Sequence, residues 1–511
     1  MAASTSMFKP RSSPTLYQDV IKNAARWPNT MAVSDSATGW TWREFEAAVA
    51  NAADRLEEAG VKSGSVVAVY MANSAEYVAL VYAVWALGST FCPINYRLSV
   101  SEVAQMMEDV DSKHLVVDDE HADVELSGVR VMRSRAVFAG EPGSEQREAI
   151  SVHIDAPAWL FFTSGTSGRP KPAVISHGQL QSVVSNGILD LMSELSRRDA
   201  ALAVAPLSHG ALTHVLRQVR LGGHTVVYDR PRFEESTVLR MIVSASIRST
   251  FLVPTMIRRL CDAAQAQGKN YHGTLTTLLS GGELLTRPVV NQVEKVFGPI
   301  LTNYYGLAEV TGAISQALPH EVHDGTDGPV SAGMPRFGTT IQLRKHDGSL
   351  AAEGEHGEIW VSGTNMFIGY LWEDQVDNEE LSTGWFRTKD VAYQIENRLY
   401  IDGRTSDMFI SGGSNVYPAE IERVLNAHHS VRESAVIGIA DESWGEVGIA
   451  FVVLNDESVT SETLTAHVRK QLSGYKVPKH FEFVNELPFT AMDKIDKKAL
   501  KDSFILERVR S

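Results

Sequence analysis

The run Phe161-Phe162-Thr163-Ser164-Gly165-Thr166-Ser167-Gly168-Arg169-Pro170-Lys171 closes the apolar stretch that begins at Ala158. It reads as a phosphate grip. Glycines let main-chain N–H groups approach an anion, the hydroxyls of Thr163, Ser164, Thr166 and Ser167 donate hydrogen bonds, and Lys171 supplies positive charge. A Walker A loop is excluded, because that motif places Lys and then Ser or Thr directly after its second glycine. Here Gly168 is followed by Arg169-Pro170-Lys171-Pro172.

On either side of this loop the pattern is that of helices covering a parallel sheet. Trp42 to Ala59 is expected as an amphipathic helix, with Thr41 and Glu44 as a capping box, Phe45, Val49, Ala52 and Leu56 on one face, and Gly60 as the stop. Strands are expected at Ser65 to Met71, Leu115 to Val117, Leu202 to Ala205, Thr225 to Tyr228, Ser249 to Val253 and Thr277 to Leu279, and a helix at Glu76 to Ala86. After Gly328 the texture changes. Apolar and polar residues alternate from Thr339 to Trp360 around Asp347-Gly348 and Gly354, as in antiparallel hairpins, and Tyr400 to Arg404 closes that part. Beyond it, helical patterns at Glu420 to Leu425 and Thr463 to Leu472 and extended ones at Ala435 to Ile439 and Ala450 to Leu454 describe a smaller unit. The fold class is α/β: a large N-terminal domain (1–404) of α/β sheets with a β-rich subdomain, joined by a short hinge to a small mobile α+β C-terminal domain (405–511).

With 511 residues the chain exceeds what one core holds, roughly 250–300 residues. Its net charge of −15 argues against a nucleic-acid surface, which demands clustered Lys and Arg. The start, Met1 to Pro14, lacks the apolar core of a secretory signal, and no run of about 18 apolar residues is present, so a soluble cytoplasmic protein without a membrane span is expected. The two cysteines, Cys92 and Cys261, have neither metal-ligand spacing nor a disulfide framework and are expected as buried free thiols.

Further segments follow the loop in order: Pro206-Leu207-Ser208-His209-Gly210, Ser280-Gly281-Gly282-Glu283-Leu284, Asn303-Tyr304-Tyr305-Gly306-Leu307-Ala308-Glu309, Gly384-Trp385-Phe386-Arg387-Thr388-Lys389-Asp390 and Gly403-Arg404. The small unit adds Ser411-Gly412-Gly413-Ser414-Asn415-Val416-Tyr417-Pro418, Trp444-Gly445-Glu446 and Asp493-Lys494. Singly each has a bland reading: a turn, a core tryptophan, a solvated Asp or Arg. Jointly, and in this order from Trp40 to about Leu500, they resemble the adenylate-forming superfamily of acyl-CoA synthetases, peptide-synthetase adenylation domains and beetle luciferases. The resemblance implies that Thr163 to Gly168 and Lys171 grip the triphosphate and that His209 stands beside the carboxylate substrate. It implies that Gly281, Gly282 and Glu283, with Asn303, Tyr304, Tyr305, Gly306 and Ala308, form the adenine side, and that Asp390 and Arg404 hold the ribose or phosphate. Thr166 and Glu309 are implied as magnesium ligands, a sensible hard-oxygen set beside nucleotide phosphates. Gly412, Gly413 and Trp444 are implied along CoA, and Lys494 as the bridge between carboxylate and α-phosphate.

By that resemblance the chain is an acid–thiol ligase using ATP, magnesium and coenzyme A. A carboxylate attacks the ATP α-phosphate to give acyl-AMP and pyrophosphate, then the CoA thiol displaces AMP. Between the two steps the small domain swings, exchanging Lys494 for the CoA segment. Two anions must meet, so positioning and electrostatics by Lys171, Arg404 and Lys494 carry the first step, with no covalent enzyme nucleophile.

Four positions depart from the family pattern. Ala308 stands in place of a threonine whose hydroxyl contacts the α-phosphate; a lost hydrogen bond to a charged group is worth about 1.5–3 kcal/mol, roughly ten- to more than a hundredfold in rate. Pro172 replaces a glycine after the loop lysine, Asp493 replaces a glycine before Lys494, and Ser406 occupies the hinge position where Asp or Lys is usual. Three of these fall on parts serving adenylation. They raise the expectation of a weakened first half-reaction and of an enzyme that mainly thioesterifies preformed acyl-AMP, with ordinary family drift as the competing reading. A CoA ligase outranks an amino-acid adenylation domain or a stand-alone adenylation enzyme for a carrier protein: the segment around His209 lacks the aspartate that binds an amino group, and no carrier domain follows. A non-catalytic nucleotide or acyl-adenylate binder is the alternative of another class; Lys171, Glu309, Asp390 and Lys494 count against it. Gly210, Ala211, Ala308, Gly312 and Ala313 leave room for a bulky or ring-containing acyl group. Homodimer formation is left open.

Overall fold

The computed structural model describes residues 11–139, 147–163, 170–326, 328–372, 375–441, 443–455, 459–489 and 495–510. Two large sheets dominate. The first has eight strands, in the order Gln375–Asp377, Gly369–Trp372, Lys171–Ser176, Pro157–Thr163, Thr90–Ile94, Val66–Tyr70, His114–Val117, Arg130–Arg133. Its pairings are parallel from Pro157–Thr163 to Arg130–Arg133 and antiparallel on the other side. The second has nine strands, running from Met334–Pro335 through Ser315–Ala317, Leu301–Tyr305, Thr277–Ser280, Ile247–Phe251, Ala200–Ala203, His224–Val227 and Met31–Ser34 to Gly39–Thr41.

Helices fill the space between these sheets. Ala75–Ala86 is buried on every side except at Glu76, as a nearly all-apolar helix must be, and touches Thr90–Ile94 of one sheet and Met31–Ser34 of the other. His177–Asp190 lies against the first sheet and Ala211–Leu221 against the second, and the two helices touch each other. The expected helix after Thr41 runs Trp42–Glu58, with Glu44 N donating to Thr41 Oγ1 (3.4 Å) and Thr41 N donating to Glu44 Oε2 (2.8 Å). Phe45, Val49, Ala52 and Leu56 are its buried face. The strand expected at Leu202 to Ala205 runs Ala200–Ala203 instead. Asn73 Nδ2 donates to the carbonyls of Val204 (3.3 Å) and Ala205 (3.1 Å), so a side-chain amide replaces the ladder there and the chain turns toward His209.

The alternating stretch after Gly328 forms a four-stranded antiparallel sheet, Thr339–Arg344, Gly357–Gly363, Phe386–Ile395 and Arg398–Arg404. From Phe409 onward a five-stranded sheet built around Val431–Asp441 and Gly445–Leu454 carries the helices Pro418–Asn426 and Ser461–Arg469 and has its own apolar clusters. Cys92 and Cys261 are buried free thiols, each pushed up to about 12 by burial. Among the described residues no helix is long and apolar enough to cross a membrane.

Candidate active site

The quoted motifs converge where parallel strands of the second sheet end and face the hairpin of the first. Thr277–Ser280 delivers Gly281 to Glu283, Leu301–Tyr305 delivers Gly306 to Glu309, and the turn after Ala200–Ala203 delivers His209. Crevices at the carboxyl ends of parallel strands are where α/β sheets bind ligands. Across from them, Thr163 and Lys171 are paired in register on antiparallel strands, and Thr163 Oγ1 donates to the Lys171 carbonyl at 3.3 Å. Ser164, Gly165, Thr166, Ser167 and Gly168, together with Lys494 and Asp493, lie outside the described residues.

Two adjoining cavities share this region. One, of about 300 Å³, is lined by Trp159, Phe161, Phe251, Tyr304, Ile175, Val253 and Met256 and by Thr163, Lys171, His209, Gly281, Ala308 and Glu309. The other, of about 930 Å³, is a cleft between the large and small units that holds Asn303, Tyr305, Asp390, Ile401, Ile495 and Lys497. Gly282, Glu283, Tyr304, Gly306 and Arg404 face both. Four of the small residues expected around the acyl group, Gly210, Ala211, Ala308 and Gly312, line the first cavity. Ala313 does not: it packs behind the wall with Leu191, Met192 and Phe251. Gly306 is required by close approach, since a Cβ there would lie 1.4 Å from the Gly312 carbonyl oxygen.

The nucleotide-facing wall is tightly wired. Asp390 and Arg404 are opposite each other on neighbouring strands; Asp390 Oδ1 accepts from Arg404 Nε (3.1 Å) and Oδ2 from the Tyr305 hydroxyl (2.6 Å). Burial alone would lower the Arg404 pKa, but Asp390 and Asp407 outweigh it and the net direction is upward. Asn303 Nδ2 donates to the Ser331 carbonyl at 2.9 Å, which fixes that side chain. A second chain of contacts runs through Tyr370. Lys171 Nζ lies 5.2 Å from its ring centroid, and its hydroxyl donates to Glu309 Oε1 at 2.7 Å. Burial raises the Glu309 pKa, opposed by that hydrogen bond. On the acyl side, the Phe161 and His209 rings lie 6.2 Å apart.

Gly412, Gly413 and Trp444 are not part of either cavity. They form a group of their own on the small unit, with the Trp444 ring against Gly412 and Lys479 Nζ 4.8 Å from the ring centroid. Instead, Ile495 and Lys497 of the small unit close the cleft beside Arg404. Tyr370 was not singled out by the sequence: it lies in Gly369–Trp372, whose pairing with Lys171–Ser176 is a long-range event without a local signal.

Fold and site together define an adenylate-forming enzyme, with a large N-terminal unit and a small C-terminal one. Residues 20–371 match the model of the AMP-binding enzyme family and residues 420–494 that of the AMP-binding enzyme C-terminal domain, and the chain belongs to this family, in its acyl-CoA synthetase branch. It is 34% identical over 489 residues to a feruloyl-CoA synthase from Amycolatopsis sp, covering 95% of this chain and 98% of the relative. It is 32% identical over 485 residues to a 2-succinylbenzoate–CoA ligase from Geobacillus sp. (strain WCH70), covering 94% and 96%. Among solved structures, o-succinylbenzoate CoA synthetase from Bacillus subtilis in complex with its acyl-adenylate intermediate superposes with a TM-score of 0.84 at 29% identity, over 96% of this chain and 98% of the other. The same enzyme with ATP and magnesium ion gives 0.85, over 96% and 100%. The chain is thus an AMP-forming acid–thiol ligase that works through an acyl-adenylate.

Proposed function

We propose that this enzyme forms the CoA thioester of a ring-containing carboxylic acid, drawing on ATP, magnesium and CoA. The observation that carries the reading is the cavity of about 300 Å³ walled by Trp159, Phe161, Phe251 and Tyr304, whose lining also holds Lys171 and Glu309. That volume and apolar lining suit one ring-sized acyl group. The relatives named for feruloyl and succinylbenzoyl groups also act on ring acids.

In this reading the acid enters with its carboxylate between His209 and Lys171, its ring against Phe161 and Phe251. Asp390 and Arg404 hold the ribose and phosphate, Gly281 to Glu283 and Tyr304 to Gly306 flank the adenine, and Thr163 with the loop 164–168 grips the phosphates. Glu309 fits a magnesium ligand: its carboxylate faces the cavity, and Tyr370 occupies one oxygen. Among the described residues no cluster of three acidic, His or Cys side chains exists, so phosphate oxygens would complete the shell, with Thr166 as a further ligand. Magnesium would supply charge neutralisation between the two anions. Lys494 is assigned to the carboxylate and α-phosphate; its neighbour Ile495 faces the cleft. We place the hinge at 404/405, between a domain of residues 1–404 and one of 405–511, about which Gly412, Gly413 and Trp444 replace Lys494 for the thiol step. Weakened adenylation through Ala308, Pro172 and Asp493, a cytoplasmic location and a homodimer belong to the same reading.

The test is incubation with CoA and a panel of linear, aromatic and polycyclic acids plus ATP and magnesium, in parallel with the matching synthetic acyl-adenylates, with acyl-CoA read by mass spectrometry. Thioester from ring acids is expected; acceptance of short linear acids alone overturns the ring-acid reading. Thioester from acyl-adenylates but from no acid establishes the weakened first half-reaction.

A further inference from the structure

Two opposite charges share the active-site cavity without pairing. Lys171 and Glu309 both line it, and among the described residues neither makes a salt bridge. Glu309 is only 9% exposed, and a carboxylate taken out of water is costly until a cation meets it, so a lysine–glutamate pair is the arrangement burial favours. Arg404 is near enough for its field to reach Glu309, but its Nε is spent on Asp390. A pair between Lys171 and Glu309 would also disable the site. A lysine closed on a glutamate is lost to phosphate, and the glutamate is lost to magnesium.

Tyr370 stands between them. Its ring takes the lysine, with Nζ 5.2 Å from the centroid, and its hydroxyl donates to Glu309 Oε1 at 2.7 Å. The backbone puts the ring there. Gly369–Trp372 pairs antiparallel with Lys171–Ser176, with Tyr370 opposite Ala173, so Lys171, two residues before Ala173, shares a face with the tyrosine and lies diagonal to it. Just upstream, Phe367 N donates to the Glu309 carbonyl at 2.7 Å and Ile368 N to the Val174 carbonyl at 3.0 Å. The Phe367 and Tyr370 rings meet edge to face with centroids 4.9 Å apart. One short segment, 367–370, therefore grips residue 309 by main chain and side chain and also grips the strand that carries Lys171.

We propose that Tyr370 is a positioning residue that keeps Lys171 and Glu309 apart, so that both meet the nucleotide unspent, the ammonium for phosphate and the carboxylate for magnesium. The inference rests on the assignments of Lys171 and Glu309 made above. A tyrosine suits the place because its ring face attracts a cation while its hydroxyl donates to an anion, and both ionic groups keep their charge. A phenylalanine would satisfy only the lysine, and an aliphatic residue neither.

The experiment measures ATP binding to the full-length protein by calorimetry, without acid or CoA so that nothing turns over, once in EDTA and once with magnesium. Tyr370→Phe keeps the ring and loses the hydroxyl. Its affinity in EDTA is expected to stay within about twofold of wild type, while the gain from magnesium shrinks about tenfold, as for one lost hydrogen bond to a charged group. Tyr370→Leu removes both contacts, lets Lys171 close on Glu309, and is expected to weaken ATP binding in EDTA about tenfold as well. With Glu309→Gln already present there is no carboxylate to close on, so adding Tyr370→Leu is expected to leave affinity in EDTA unchanged. That dependence of one substitution on the other separates a spacer from a packing role, which would weaken binding in both backgrounds alike. An unchanged EDTA affinity in Tyr370→Leu, or the same loss with and without Glu309→Gln, overturns the inference and leaves the ligase reading standing. If Tyr370→Leu does not fold, an undiminished magnesium gain in Tyr370→Phe overturns it. Wild-type protein whose ATP affinity ignores magnesium and survives Lys171→Gln overturns the two assignments and the inference together.

Discussion

The two walls of the active site treat their polar groups in opposite ways. On the nucleotide wall four charges meet partners: Tyr305 and Arg404 both hold Asp390, and Tyr370 holds Glu309 while its ring faces Lys171. On the acyl side, Thr311 Oγ1 on the cavity lining is buried and left over, as is Arg217 Nε in the packing behind it. The difference follows the ligands. ATP is the same in every turnover, so receptors for it can be fixed in advance and need no reorganisation. In the proposed reading, the acyl end is completed only when the acid arrives.

The strongest way to break the contrast is to remove a partner on the wired side. Asp390→Ala leaves the Tyr305 hydroxyl and an exposed Arg404 without their shared acceptor. A lost hydrogen bond to a charged group is worth about 1.5–3 kcal/mol, so kcat/KM for ATP is expected to fall roughly ten- to a hundredfold or somewhat more in pyrophosphate exchange. Thioester formation from supplied acyl-adenylate is expected to fall less, because its nucleotide is already joined to an acyl group held by the other wall.

Ala308 tests whether the nucleotide wall has one gap of its own. It lines the acyl cavity at the mouth of the turn that carries Glu309. Ala308→Thr adds a hydroxyl toward the expected position of the α-phosphate. If its absence weakens adenylation, exchange rises about tenfold, the value of one hydrogen bond to a charged group. An unchanged rate makes the alanine a harmless variation and removes the case for an enzyme dependent on preformed acyl-AMP.

A smaller effect is expected where the small unit closes the nucleotide side. Asp402 is 2% exposed and accepts from Arg423 Nη2 at 2.7 Å and pairs with His356 Nε2 at 2.6 Å, while the His356 ring stacks on Tyr417 with centroids 5.6 Å apart. Arg423 and Tyr417 belong to the small unit, so this cluster holds the orientation in which Ile495 and Lys497 face the cleft. Arg423→Ala is expected to slow adenylation about fivefold, the worth of a partly exposed ion pair near 1 kcal/mol, and to leave the acyl-adenylate-to-thioester step equal or faster. Slowing of both half-reactions alike would show that the cluster only stabilises the small unit.

Much of the nucleotide wall was legible in the sequence because its motifs are local. Ser280 to Leu284 and Asn303 to Glu309 each fall within one strand end and its following turn, and Gly384 to Asp390 within a turn and the strand that follows it, so residue types and spacing carry the geometry. Helix Trp42–Glu58 was legible for the same reason, down to its capping box. Tyr370 and Arg217 were not. Tyr370 reaches Glu309 through a strand pairing across a long sequence separation, and the burial of Arg217 beside an Asp190 already taken by Arg336 is likewise a product of packing between distant segments. A missing contact has no pattern along the chain. Gly412, Gly413 and Trp444 line neither cavity, and their placement against the large unit is something no spacing along the chain encodes.

One buried orphan away from the site serves as the control for the acyl wall. His177 is 1% exposed, both ring nitrogens lack a hydrogen-bond partner, and it packs against Trp85 and faces neither cavity. Burial lowers its pKa to about 4, so the folded protein holds it neutral. The sign follows from linkage: the unfolded chain, with an ordinary histidine near 6.5, binds a proton that the folded chain refuses, so stability is complete above that pH and declines as pH falls toward 4. Between pH 7 and pH 5 this one residue is expected to withdraw about 2 kcal/mol. His177→Phe should therefore flatten the acid limb of a denaturant-midpoint titration by one proton and leave stability at pH 7 equal or higher, since an apolar ring replaces two unsatisfied nitrogens. Turnover should not move. If instead the variant loses stability at pH 7, His177 has a partner in solution, and an unpartnered buried group in this fold would no longer separate a cost of packing from a receptor awaiting its ligand.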